Sequence, residues 1–166
     1  MSLISIYIDT NCINVRKSDK YLNELEKLNR QKSIIIEKTD VLDTELREGK
    51  GYSQGLNKSL NYIESRGAAV FGHSRYGHAK YSSQNDSERL SRILKILWGT
   101  KTRSQYSKQE IRDAIHISTA CYHGGTFFVT KETALLKKTQ QIEKEFIIKI
   151  RNPSNCLEEI IKNYLI

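Results

Sequence analysis

The stretch LISIYIDTN, residues 3–11, is mostly apolar from Leu3 to Ile8 and then meets a carboxylate, Asp9, with Thr10 and Asn11 behind it. It lacks the strict polar alternation of a half-exposed strand, which predicts a strand covered on both faces, as in a parallel sheet. Three more runs read the same way: SIIIE (33–37), TFFVT (126–130) and FIIKI (146–150). Each is rich in Ile, Val, Phe or Tyr and short enough to be a strand rather than a helix.

Helical periods lie between these runs. Tyr21, Leu22, Leu25 and Leu28 form one stripe of a helix over about 18–30, and Val41, Leu42 and Leu46 begin another. Leu56, Leu60 and Ile63 continue that period. Leu90, Ile93, Leu94 and Leu97 predict a helix near 86–98 with Asp86 as its N-cap. Ser107 and Glu110 make a capping box for a helix that runs to about Tyr122, where Gly124-Gly125 stops it. Leu135 and Leu136 belong to a helix after Thr130, and Asn152-Pro153 opens the last helix, which carries Leu157, Ile160, Ile161 and Tyr164. Strands alternating with helices predict an α/β fold with right-handed crossovers and helices on both faces of the sheet. The chain reads as one domain over residues 1–166, with a basic loop insertion around 66–85.

The net charge of +8 favours a polyanionic partner, RNA or DNA before an anionic membrane surface. Residues 58–112 hold 11 basic side chains against 4 acidic ones, so the excess lies in the middle third, where a binding face would need it. Within it, FGHSRYGHAKY (71–81) interleaves Arg75-Tyr76 with Lys80-Tyr81, a pattern that can grip phosphates and stack unpaired bases; a plain surface loop is the alternative. Cys12, Cys121 and Cys156 form no CxxC pair, which points to reduced thiols. The apolar start is too short for a signal peptide and no apolar run approaches about 20 residues, so a soluble cytoplasmic protein without a membrane partner is expected. The histidines show no zinc-quartet spacing, and His116 reads as structural.

In an open parallel sheet, ligands bind beyond the carboxyl ends of the strands. Asp9 ends the first strand, Glu45 lies early in the helix after the second, Asp113 lies in the second turn of the capped helix, and Glu132 follows Thr130 past the third apolar run. Four carboxylates on one edge would repel each other, and a divalent cation removes that penalty; hard oxygen ligands favour Mg²⁺ or Mn²⁺. Each acid also has a plainer reading. Asp9 can cap a turn, Glu45 can be a surface helix residue as Asp43 and Glu48 are expected to be, and Asp113 and Glu132 can face helix dipoles.

IYIDTN, VLDTEL, RDAIHISTA and FFVTKETALL, in that order, resemble the PIN domain, and FIIKIRNPSNCLEEI resembles its terminal strand and helix. The resemblance implies a three-layer α/β/α sandwich around a mainly parallel sheet of four or five strands. It implies a metal-dependent endoribonuclease, using Mg²⁺ or Mn²⁺, of the kind found as the toxin of toxin–antitoxin pairs or in RNA processing. Asp9, Glu45 and Asp113 match the family's first three acids, and Glu132 takes the fourth place, where aspartate is more usual. Asn11 and Thr130 match supporting polar positions, and Lys131 stands where it could help neutralise phosphate. The partners so implied are RNA, a small antitoxin protein and a second copy of the chain. The alternative is a PIN-fold RNA-binding or interaction module with impaired catalysis.

Overall fold

The computed structural model describes residues 4–15, 18–48, 57, 59, 61–74 and 77–165. Ile4–Ile8 forms β1, and Ile34–Thr39, Ile63–Ser65, Phe127–Val129 and Lys149–Arg151 form β2 to β5. All pair in parallel, in the order β3-β2-β1-β4-β5. Leu3, at the start of the quoted run, lies outside the described residues.

Among the described residues the helices are α1 (Thr10–Val15), α2 (Lys20–Arg30), α3 (Asp40–Glu48), α4 (Gln84–Trp98), α5 (Lys108–Tyr122), α6 (Thr133–Leu136), α7 (Thr139–Glu145) and α8 (Pro153–Tyr164). Their ends follow local chemistry. Asp19 accepts the backbone N–H groups of Tyr21 and Leu22 and starts α2. Ser107 and Glu110 close the expected capping box on α5, and Asn152 caps α8 ahead of Pro153.

Strand pleating sends alternate side chains to opposite layers, and both layers are apolar. Ile4, Ile6 and Ile8 join Leu22, Leu25, Phe127 and Ile160 on the side of α2 and α8. Tyr7 and Phe128 join Ile93, Leu94, Ile115 and Ile117 on the side of α4 and α5. The result is a three-layer α/β sandwich, as expected, with five strands.

Four local readings need correction. Ile63 does not extend a helix; it opens β3, at the sheet edge, and is 58% exposed, while Leu56 and Leu60 lie outside the described residues. The last strand is Lys149–Arg151 rather than 146–150: Phe146 terminates α7 and Ile147 faces solvent. Asp86 is not the N-cap of α4; Ser83 is, and Asp86 is the third residue of its capping box. Asp43 is not a surface residue, for it is buried and pairs with Lys38 Nζ at 3.0 Å. A helix stripe could not reveal this, since its neutralising partner sits on the strand before it.

The turn from α5 into β4 uses two glycines for different reasons. Gly124 has φ +74°, which strains a side chain, whereas a Cβ on Gly125 would meet the Tyr7 ring at 2.7 Å. Tyr7 is wholly buried and donates its hydroxyl to Glu37. Gly124→Ala is expected to cost about 1–2 kcal/mol through backbone strain. Gly125→Ala is expected to cost about 1–3 kcal/mol by displacing the ring. Urea unfolding followed by circular dichroism checks both, and wild-type stability in Gly125→Ala would contradict the packing described.

Candidate metal centre

The strand order reverses between β1 and β4, so a crevice opens at their carboxyl ends. The Asp9 N–H donates to the Val129 carbonyl at 2.9 Å, which extends the ladder by one residue and fixes Asp9 at the crevice floor. Asp9 is only 5% exposed. Its Oδ2 accepts from Thr130 Oγ1 at 2.6 Å and from Asn11 Nδ2 at 2.9 Å. Asn11 Oδ1 in turn accepts the Lys131 N–H, so the start of α1 and the end of β4 clasp one carboxylate between them.

Asp9, Glu45, Asp113 and Glu132 all line one cleft of about 820 Å³. Glu45 comes from α3, accepts from the Thr10 hydroxyl, and lies 3.1 Å from His116 Nε2. Asp113 comes from α5. Gln109, one turn earlier on the same helix, donates to Asp113 Oδ1 at 2.7 Å and to Glu45 Oε1 at 3.3 Å. His116, one turn later, also turns its Nδ1 to Thr39 Oγ1 at 2.5 Å.

The electrostatics record the crowding. Burial pushes the Asp113 carboxyl up to about 7, with the charges of Asp9 and Glu45 adding to the rise against the Gln109 hydrogen bond. Burial also raises Asp9. For Glu45 the burial effect is outweighed by His116, which attracts and hydrogen-bonds it, and its pKa is lowered. Burial alone would lower His116; Glu45, Asp9 and Asp113 reverse that and lift it to about 9.

Glu132 is placed differently from the other three acids. It lines the cleft but is exposed, and its side chain caps α6 by accepting from the Ala134 N–H. The basic candidates are engaged elsewhere: Lys131 pairs with Asp19 at 2.8 Å, and Lys80 lies 3.6 Å from Asp86 and over the Tyr122 ring. Arg75 and Tyr76 lie outside the described residues.

Sequence reading missed two members of the site. His116, read as merely structural, and Gln109 both face the acids. The signal was available in QEIRDAIH, because residues 109, 113 and 116 fall on one face of a helix. Asp9, Glu45 and His116 each offer one ligand atom within 4.8 Å of the other two. Carboxylates in this number, buried and mutually repelling, suit a divalent cation.

No family model and no curated protein matches the chain. A solved structure described as VapBC2 from Rickettsia felis bound to a DNA fragment from their promoter is similar at 13% identity with a TM-score of 0.50, covering 90% of this chain and 98% of that chain. At that identity the likeness speaks for the fold alone, a three-layer α/β sandwich.

The raised pKa of Asp113 has a consequence for stability. A carboxyl whose folded pKa lies above its unfolded value contributes stability that is full below about pH 4 and is lost as pH rises through about 7. Without added cation, Asp113→Asn is therefore expected to melt above wild type at pH 8, by at least about 2–4 °C, the shift for 1 kcal/mol at this length. The gap narrows at pH 5 and closes only below about pH 4. Thermal melts in EDTA at both pH values check this, and a gap that is the same at pH 5 and pH 8 would contradict it.

Proposed function

We propose that this protein is a metal-dependent endoribonuclease of PIN type, a hydrolase of phosphodiester bonds in single-stranded or structured RNA. The observation that carries the reading is the convergence of Asp9, Glu45 and Asp113, from three separate elements, on one cleft at the carboxyl edge of the sheet.

Asp9 and Glu45, with Asp113 beside them acting directly or through water, would hold the cation, Mg²⁺ or Mn²⁺, and Glu132 lies at the rim with its carboxylate shared with a helix cap. When bound, the cation supplies the positive charge that makes water nucleophilic at neutral pH and offsets charge gathering on the phosphate. The protein's own task is orientation. Thr130 and Asn11 hold Oδ2 of Asp9, Thr10 holds Oε2 of Glu45, and Gln109 keeps Asp113 beside Glu45. Carboxylates held by such bonds keep their oxygens in place for the cation.

The expected test result is cleavage of labelled RNA that stops with EDTA and falls to background in Asp9→Asn and Asp113→Asn. Thr130→Val, which removes one donor from Asp9, is expected to lower metal affinity or activity by about 10–100-fold. Cleavage surviving the chelator and the Asp9 substitution would overturn the reading.

A second reading, a PIN-fold RNA-binding or interaction module with impaired catalysis, is favoured by one observation: Glu132 caps α6. RNA binding without metal-dependent cleavage would select it. Under either reading the basic insertion is the proposed RNA grip, with Lys131 near the cleft. Arg75→Ala with Lys80→Ala is expected to flatten the salt dependence of RNA binding, by about 0.7 in log–log slope per lost phosphate contact. An unchanged slope in a binding titration would remove these residues from the interface. The proposal extends to a small antitoxin protein or a second copy of the chain as partner, which complex mass after co-expression decides. Among the described residues no helix is long and apolar enough to cross a membrane.

A further inference from the structure

His116 is 1% exposed, and the Phe128 ring lies 6.2 Å away. A histidine buried in an apolar layer needs both nitrogens satisfied. Here one of them is turned to Thr39 in the core and the other to a carboxylate that lines the cleft. Among the described residues, Asp9, Glu45 and His116 are the three His, Cys, Asp or Glu side chains whose ligand atoms gather within 4.8 Å.

Resting on the cation reading above, we propose that His116 Nε2 is itself a ligand, so that the centre is two carboxylates and one imidazole with Asp113 beside them, and that it selects Mn²⁺ over Mg²⁺. In this centre Nδ1 keeps its proton toward the Thr39 hydroxyl, 2.5 Å away, which holds the ring, and Nε2, once it has given up its proton, turns a lone pair to the side of Glu45. Metal-bound histidines are held by this type of bond at their other nitrogen. On binding, Nε2 exchanges its hydrogen bond to Glu45 for a cation that both share, and its proton leaves to water. The selectivity follows from the donor set. Mg²⁺ demands oxygen ligands and sheds water reluctantly, whereas imidazole suits the first-row transition metals.

The test is pulsed electron paramagnetic resonance on the full chain loaded with Mn²⁺, made once with ordinary and once with ¹⁵N-labelled histidine, beside calorimetric titrations with Mn²⁺ and Mg²⁺. The expected spectrum shows a ¹⁴N coupling that changes to ¹⁵N on labelling and vanishes in His116→Gln. Mn²⁺ affinity in that variant falls by about tenfold or more, with little change for Mg²⁺. Should His116→Gln not fold, replacing His73, His78 and His123 together must leave the coupling intact. Bound Mn²⁺ with no histidine nitrogen coupling, or a coupling that persists in His116→Gln, overturns ligation by His116 and leaves the cation reading standing. No Mn²⁺ binding at all overturns both.

Discussion

Three carboxylates brought close together in a cleft repel one another, and the surrounding structure is arranged around that repulsion. Burial is the main reason the Asp113 carboxyl resists ionising, and the charges of Asp9 and Glu45 add to it. The protein answers with donors rather than with distance. His116 sits against Glu45, Gln109 spans Glu45 and Asp113, and Thr130 and Asn11 share one oxygen of Asp9. A fold that only had to be stable would fill these positions with apolar side chains, since buried charge is seldom a net gain. The acids therefore mark this edge of the sheet as the candidate site.

The frame makes such a site affordable by separating duties. Two apolar layers, one on each face of the sheet, pack the central strands β1 and β4. At β1 and β4 the polar residues begin immediately beyond: Asp9 after Ile8 and Thr130 after Val129. Because β1 and β4 are adjacent and parallel, the residues that follow them emerge side by side, and the reversal of strand order leaves the crevice open above them.

Much of this was legible in the chain. Central strands buried on both faces announce themselves as Ile- and Phe-rich runs, and the caps at Ser107 and Asn152 are spelled out by local residue types. The edge strand was not legible, because Ile63–Ser65 has one apolar residue and it faces solvent. The last strand was displaced because Phe146 and Ile147 are apolar without belonging to it. The acids Asp9, Glu45 and Asp113 could be picked out by their positions at element ends. His116 shares a helix face with Asp113 in the sequence, but only the tertiary fold shows that it meets Glu45. For Glu132 the plainer sequence reading, a carboxylate at its own helix start, describes its hydrogen bonding.

The clasp on Asp9 joins residues 121 positions apart in the chain. During synthesis on the ribosome, Asp9 emerges long before the residue that orients it, and β4 cannot take its place beside β1 until most of the polypeptide has been made. The pocket is therefore assembled late, since its first carboxylate is not oriented until residue 130 has been added.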